Sequence, residues 1–206
     1  MRLYILRHGE TMWNVQRRLQ GQTDIELNEK GIALAKVTGE ALKEIQFDLV
    51  ISSPLCRAKE TARLVLQERE IPMVEDDRIR EISFGILEGL QVKNEAGEII
   101  SPDLYNFFHH PEKYEPKQDG ENMDELCART AEFLQELKQK QEWKDKTILI
   151  STHGAASRAL LTAIKQTSRA DFWEKGVPKN CAVTIVDLEH DKWIIKEQDV
   201  VYYEDI

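Results

Sequence analysis

Short apolar runs alternate with segments of helical period along most of the chain, and this alternation limits the possible folds more than any other feature. Runs of Val, Ile and Leu bounded by polar turns predict buried strands. In chain order, the predicted strands are residues 2–6, 49–51, 73–75, 147–151, 182–188 and 193–196. The last two flank the polar pair His190–Asp191, so they predict a terminal hairpin with at least one antiparallel strand.

Between those runs, apolar residues recur every three or four positions, which is typical of helices that pack on a sheet. One helix is predicted over residues 28–45, and a second begins with Ser53 as N-cap and Pro54 at its first position. Two more are predicted around residues 126–137 and 156–164. Strands that alternate with helices indicate an α/β fold, a three-layer sandwich with a mostly parallel mixed sheet and helices on both faces.

The periodicity breaks down between residues 83 and 120, where Gly, Pro and aromatic residues are scattered. Only one short helix, near residues 103–109, is predicted there. We interpret this stretch as a small irregular and helical cap insertion that covers one end of the sheet. Residues 1–206 are otherwise expected to form a single domain, since no repeat or linker interrupts them and the length suffices for a sizeable core.

The net charge of −9 excludes a chain that is drawn to nucleic acid by its overall field. Because that field also repels anionic substrates, any phosphate group would need a local cluster of cations. No apolar run approaches the length of a membrane span, and no membrane partner is expected. Only four apolar residues, Leu3–Leu6, precede Arg7, so no signal peptide is expected.

The positions of the cysteines and histidines predict neither a disulfide framework nor a metal site. Cys56, Cys127 and Cys181 are far apart and odd in number, which indicates free thiols and a reducing, cytoplasmic location. His109 and His110 are adjacent, but no carboxylate or cysteine stands at ligand spacing, so no metal site is predicted.

Chemically active side chains follow three of the predicted strands. Arg7 and His8 come directly after the first strand, and Arg57 lies one helical turn beyond the second. Thr152, His153 and Gly154 follow the strand at 147–151. Ligands of open α/β sheets bind beyond the carboxyl ends of the strands, so two histidines and two arginines are expected on one rim.

These residue types suit phosphoryl transfer. Arginine forks match phosphate oxygens and stay charged, a neutral imidazole such as His8 can attack phosphorus, and His153 could donate hydrogen bonds to its oxygens. Gly9 and Gly154 leave room for the backbone to approach a ligand. A helix that starts at Ser53–Pro54 would point free N–H groups at an anion.

A proton donor for the leaving oxygen is expected at Glu81, just before the cap. A carboxyl group there would be partly desolvated, which raises its pKa and suits general acid catalysis. The competing carboxylates are Asp76, Asp77 and Glu88, for which a solvated position is the ordinary expectation.

The stretch LRHGETMWN, from Leu6 to Asn14, resembles the signature of the histidine phosphatase superfamily, the phosphoglycerate mutase-like proteins. A lone Arg-His-Gly triplet would be weak evidence, but further matches to that family follow in order. They are residues 20–24 with Leu27 and Gly31, residues 52–58 with Thr61 and Ala62, residues 81–89, residues 120–121 and residues 151–154.

The resemblance implies a role for each matched residue. His8 would be the nucleophile that forms a phosphohistidine, Arg7, Arg57 and His153 would bind and stabilise the phosphoryl group, and Glu81 would donate a proton and then activate water. No metal or organic cofactor is implied. The residues expected to bind the substrate are Asn14, Gln20, Gly21, Thr152 and Gly154.

Three functions remain open within this resemblance: a phosphatase, a mutase that returns the phosphoryl group to its substrate, and a non-catalytic phosphate-binding protein. A mutase for phosphoglycerates needs extra cations in the cap. Between Arg80 and Arg129 there is no arginine, and Lys93, Lys113 and Lys117 are the only cations. This favours a phosphatase that acts on a small metabolite with one phosphate and a less acidic remainder.

Two further observations bear on that choice. The presence of His8 and Glu81 argues against a non-catalytic protein. The aromatic residues Trp13, Phe84, Tyr105, Phe107 and Phe108 could line a substrate pocket and would suit an organic leaving group. For the last three, packing of the cap is an equally good explanation. The oligomeric state is left open, and a homodimer paired through an edge strand is one option.

Overall fold

A computed structural model of the protein describes residues 1–92, 94, 96–99 and 101–204, and within those residues six strands form one sheet. The order across the sheet is β3-β2-β4-β1-β5-β6. The first four in that order run parallel, whereas β5 is antiparallel to β1 and β6 is antiparallel to β5. The strands are β1 (Arg2–Arg7), β2 (Leu49–Ser52), β3 (Met73–Glu75), β4 (Thr147–Thr152), β5 (Val183–Glu189) and β6 (Lys192–Val200). The predicted α/β fold with a mostly parallel mixed sheet is confirmed.

The helices cover both faces of this sheet. Their bounds are α1 (Met12–Val15), α2 (Glu29–Ala41), α3 (Cys56–Leu66), α4 (Tyr105–His109), α5 (Met123–Gln139) and α6 (Gly154–Lys165). Strand β1 shows the arrangement, because its side chains alternate between two apolar cores. Tyr4 and Leu6 share one core with α2 and α3, whereas Leu3 and Ile5 share the other with α5 and α6.

Two helix ends differ from the prediction. Helix α2 stops at Ala41 rather than near residue 45, because the Arg69 guanidinium donates to the carbonyls of Leu42 and Ile45 at 3.2 and 3.0 Å. These contacts satisfy carbonyls that a longer helix would have paired internally. The expectation that Ser53 caps α3 is wrong, as the next subsection describes.

The C-terminal hairpin matches its prediction closely. His190 and Asp191 adopt left-handed φ values of 47° and 61°, which is the backbone of a two-residue turn whose twist matches that of the strands. The prediction ended β6 too early. The C-terminal half of this strand is polar and partly exposed, so its hydrophobicity did not indicate a strand.

The cap segment, residues 83–120, contains 3-10 turns and helix α4, which begins at Tyr105 rather than 103. Its buried side chains Phe84, Leu104 and Phe107 pack with Leu126 of α5 and Ala155 of α6. The N-terminal ends of both helices lie at the carboxyl edge of the parallel strands, so the cap lies over that edge. Lys93, one of the three lysines counted in the cap, lies outside the described residues. Over the described part of the chain, no helix has the length and apolar character to cross a membrane.

Candidate active site

A cavity of about 120 Å³ opens at the carboxyl edge of the sheet, beneath the cap. It gathers most of the predicted site residues from distant parts of the chain. The predicted residues that line it are Arg7, His8, Asn14, Gln20, Gly21, Arg57, Glu81 and Gly154. The other two predicted residues, Thr152 and His153, are not among its described lining residues.

His8 is only 2% exposed at the end of β1. Its Nδ1 lies 2.7 Å from the carbonyl oxygen of Gly9. Because a carbonyl only accepts, Nδ1 carries the ring proton and Nε2 keeps its lone pair. Burial, followed by the charges of Arg57 and Arg7, holds the pKa of His8 well below its usual range, so the ring is neutral and nucleophilic.

The loop that carries His8 is held by contacts that the sequence did not reveal. The N–H of Gly9 donates to the Thr61 hydroxyl at 2.9 Å, and Asn180 Nδ2 donates to the His8 carbonyl at 3.0 Å. A Cβ on Gly9 would lie 2.7 Å from the carbonyl oxygen of Gly31. Gly9 is therefore required for close packing on α2.

Arg57 is buried and Arg7 is partly buried beside His8, and both have backbone carbonyls as acceptors. Arg57 donates to the carbonyls of Thr23 and Gly21 at 2.8 and 2.7 Å, and Arg7 donates to that of Pro178. Burial lowers the pKa of Arg57 to about 10 and also lowers that of Arg7, yet both remain charged at neutral pH. The Nε of each is buried without a partner among the described residues. An anion in the cavity would satisfy these donors.

His153 is fully buried with its ring centroid 5.2 Å from that of His8. Its Nε2 lies 2.7 Å from the Ser53 hydroxyl, and its Nδ1 has no partner in the described part of the protein. Ser53 thus contacts the second histidine and does not cap α3. The N-cap is Leu55, and Asp24 Oδ1 accepts the Cys56 N–H at 2.7 Å, so the N–H groups expected to face an anion are used within the protein.

Thr152 plays a different part from the one predicted. Its hydroxyl is buried and donates to the carbonyl of Ile79 at 2.7 Å, away from the cavity. The side chain therefore ties β4 to the segment that leads to Glu81.

Glu81 sits at the start of α6. Its Oε1 accepts the N–H groups of Ala156 and Ile82 at 3.0 and 3.1 Å, and its Oε2 accepts that of Ala155 at 3.1 Å. These bonds occupy a helix N-terminus that His153, as N-cap, leaves without a side-chain acceptor. The competing carboxylates lie elsewhere, since Asp76 pairs with Arg78 at 2.6 Å. Asp77 likewise pairs with Arg80 at 3.3 Å.

The comparisons with known proteins agree with this geometry. The model of the histidine phosphatase superfamily, branch 1, matches residues 3–200. The chain belongs to that superfamily. It is 33% identical to the uncharacterized phosphatase PhoE of Bacillus subtilis over 95% of this chain and 93% of the relative. It is 35% identical to a metal-independent phosphoserine phosphatase of Arabidopsis thaliana, over 94% of this chain and 79% of the relative. The solved structure of Bacillus stearothermophilus YhfR superposes with a TM-score of 0.87 at 34% identity, with 98% of each chain covered.

Glu88 organises the loop at residues 20–24 of this histidine phosphatase, although the sequence suggested only a competing acid. Its Oε1 accepts the N–H groups of Gln22 and Phe84 at 2.9 and 3.1 Å, and its Oε2 accepts that of Thr23 at 2.8 Å. Gly21 adopts a φ of +52°, and a Cβ there would lie 1.9 Å from Glu88 Oε1. Because the carbonyls of this loop hold Arg57, Glu88 also fixes that guanidinium.

Asn14 and Gln20 present polar groups to the same cavity. Asn14 Oδ1 accepts from the N–H and the hydroxyl of Thr11 at 3.1 and 3.2 Å, so its amide hydrogens are left as donors. Gln20 Oε1 is buried with no partner among the described residues.

The outer part of the cavity is largely apolar. Phe84, Phe107 and Phe108 line it as predicted, whereas Trp13 and Tyr105 are not among its described lining residues. An adjoining cavity of about 350 Å³ shares part of the wall. Lining residues that the sequence did not indicate are Arg18, Leu19, Ala155, Trp173 and Val177. In the described ranges, no three His, Cys, Asp or Glu side chains are grouped as metal ligands would be.

Proposed function

We propose that this histidine phosphatase hydrolyses a small phosphomonoester through a phosphohistidine on His8, with no metal ion in the reaction. One observation carries the proposal above all. A buried, neutral imidazole with its proton on Nδ1 turns Nε2 toward a cavity where the Nε groups of Arg7 and Arg57 lack partners. Nucleophile and anion-binding groups thus occur in one place.

In the first step, Nε2 of His8 attacks phosphorus and the bond to the leaving oxygen breaks. The leaving oxygen takes a proton from the carboxyl group of Glu81. The non-bridging oxygens receive hydrogen bonds from Arg7 and Arg57, and from Nδ1 of His153 when the Ser53 hydroxyl donates to its Nε2.

In the second step, water takes the place of the leaving group. Glu81, now a carboxylate, accepts a proton from that water as its oxygen attacks phosphorus. The bond to His8 breaks, inorganic phosphate leaves and His8 is neutral again. The phosphoryl group passes from substrate to histidine to water without redox change.

The transfer to water, rather than back to the substrate, is supported by the cap. Neither Lys113 nor Lys117 is among the described lining residues of the cavity, so the cap supplies no described cation for a bisphosphate. The relative from Arabidopsis thaliana is named a metal-independent phosphoserine phosphatase, which agrees with hydrolysis without metal. We further propose one domain over residues 1–206, with residues 83–120 as its cap, and a cytoplasmic location in keeping with the three free thiols.

Release of phosphate from p-nitrophenyl phosphate in the presence of a chelator tests the reaction. The protein should turn over without added metal, and complete loss of activity on chelation would overturn the metal-free mechanism. Rapid isomerisation of 3-phosphoglycerate with a bisphosphate primer, faster than its hydrolysis, would favour a mutase.

The intermediate is tested by rapid acid-free quenching during turnover. An acid-labile phosphoryl group should be found on the wild-type protein and not on His8→Ala. A His8→Ala protein that still becomes labelled would place the nucleophile at another residue.

A further inference from the structure

Arg18 is a charged residue of the cavity wall that the proposed reaction does not use. Its Nη1 donates to the carbonyl of Gly89 at 2.6 Å and its Nε donates to Gln16 Oε1 at 3.0 Å. Both acceptors are neutral, and no described carboxylate forms an ion pair with this guanidinium. The two contacts hold the side chain in place while the N–H groups of Nη2 and one of Nη1 remain as donors.

Arg18 precedes Gly21 by three residues, so the two Cα atoms are at most about 11 Å apart. The carbonyl of Gly21 holds Arg57 at the phosphoryl end of the cavity. A cation thus lies in the wall of the same cavity as His8. Arg18 belongs to the N-terminal segment and not to the cap, whose lysines were the cations counted in the sequence analysis.

The rest of the outer wall carries no other cation among the described residues. It is built from Leu19, Phe84, Phe107, Phe108, Trp173 and Val177. Such a wall packs against a carbon skeleton but leaves an anionic substituent without a partner, except at Arg18. One planar guanidinium matches one carboxylate, whereas a second phosphate of about −2 charge calls for several cations.

We infer that Arg18 binds a carboxylate on the leaving group and so selects phosphomonoesters of small hydroxy acids over uncharged analogues. The inference rests on the proposed phosphatase function and adds to it a residue that recognises the leaving group. Arg18 acts on specificity and takes no part in the transfer of the phosphoryl group.

The test uses two substrates of one skeleton. 3-Phosphoglycerate carries a carboxylate where glycerol 3-phosphate carries a hydroxymethyl group. We expect the wild-type protein to prefer the former in kcat/KM. Arg18→Ala should lower kcat/KM for 3-phosphoglycerate roughly ten- to a hundredfold and change that for glycerol 3-phosphate by less than about threefold. Arg18→Lys should retain part of the preference.

Arg17→Ala is the matched control, because the Arg17 guanidinium donates to the carbonyl of Asn94 and is not part of the described cavity wall. It should leave both substrates unaffected. Added salt should reduce the wild-type preference, since Arg18 is exposed.

Three results would overturn the inference: no wild-type preference for the carboxylate, no effect of Arg18→Ala, or an equal loss on both substrates. An equal loss would mean that Arg18 only holds the loop at Gly89. If the wild-type protein hydrolyses neither substrate nor p-nitrophenyl phosphate, the proposed function itself fails and the inference falls with it. Hydrolysis of p-nitrophenyl phosphate without a carboxylate preference rejects the inference alone.

Discussion

The Ser53 hydroxyl lies 2.7 Å from Nε2 of His153, and both side chains are completely buried. A hydroxyl that donates to Nε2 places the ring proton on Nδ1, which has no partner among the described residues. In the proposed reaction the second histidine would meet the phosphoryl oxygens as a neutral donor. Its tautomer would be set by a serine that directly follows strand β2.

Ser53→Ala should therefore lower kcat about tenfold or more while KM changes little, because the donor loses its orientation mainly in the transition state. Ser53→Thr keeps the hydroxyl and should restore most of the rate. Steady-state kinetics over a range of pH measures both effects. Equal rates for the Ala and Thr variants would show that the hydroxyl has no part in the reaction.

Glu88→Gln should loosen the loop that holds Arg57. A carboxylate that accepts three backbone N–H groups is replaced by a weaker, neutral acceptor, so the free energy of unfolding should fall by about 1–2 kcal/mol. We expect kcat/KM to drop about tenfold on all phosphomonoesters alike. Denaturant unfolding and phosphate release measure these effects.

Glu60→Gln is the control for that variant, since Glu60 is an exposed carboxylate 3.7 Å from Arg63. It should change stability by less than about 0.5 kcal/mol. A similar small effect of both substitutions would mean that the loop does not depend on Glu88.

Arg129 holds the backbone of the segment that carries Glu81, the proposed proton donor. It donates to the carbonyls of Arg78, Arg80 and Glu81 at 2.7, 2.8 and 3.1 Å and forms an ion pair with Glu121 at 2.6 Å. Arg129→Met should displace the Glu81 carboxyl group. The rate should fall roughly tenfold or more on alkyl phosphates, whose leaving oxygen needs a proton, and much less on p-nitrophenyl phosphate.

Arg78→Met provides the comparison, because it removes ion pairs to Asp76 and Glu136 from the same segment. We expect it to reduce stability without a leaving-group dependence. The same loss on both kinds of substrate for Arg129→Met would indicate general unfolding and not a displaced acid.

The two buried histidines make stability depend on pH. Burial keeps the pKa of His8 and of His153 well below the ordinary value, so the native protein leaves both rings neutral when the unfolded chain begins to bind protons below about pH 6.5. The stabilising effect of the neutral rings is complete above that pH. It is lost as the pH falls, by about 1.4 kcal/mol per unit for each histidine, until the depressed pKa is reached.

His8→Asn should remove about half of that slope. Urea unfolding at pH 7.5, 6 and 5 measures it, and His190→Asn, an exposed position, should leave the slope unchanged. A wild-type protein with equal stability at pH 7.5 and 5 would contradict the prediction.

The sequence predicted the sheet well because buried strands are nearly continuous apolar runs. Residues 73–75 were predicted as a strand from three side chains, and the structure has β3 at Met73–Glu75. The helix start at Ser53 was wrong because a hydroxyl before proline looks like a cap. The carboxylate that caps α3, Asp24, comes from a loop thirty-two residues away in the chain.

The position of the candidate site could also be predicted, since His8 and Arg57 follow strands that must meet at one edge. The contacts that hold these residues in place could not be predicted. Thr61 belonged to a stretch that matches the family, but the sequence did not indicate its contact with Gly9, and Asn180 lay in a loop with no recognisable pattern. Pairwise contacts between loops depend on how the chain closes in space, and a single sequence has no periodic signal for them.

The cap does not pack separately from the residues of the candidate active site. Phe107 belongs to the same apolar cluster as Ala155, whose N–H is bonded to Glu81. A lineage that altered Phe107 to admit a new leaving group would also disturb the helix end that holds Glu81, the proposed proton donor. Substrate range and catalytic power are therefore expected to change together, and changes of specificity to require compensating substitutions in α6.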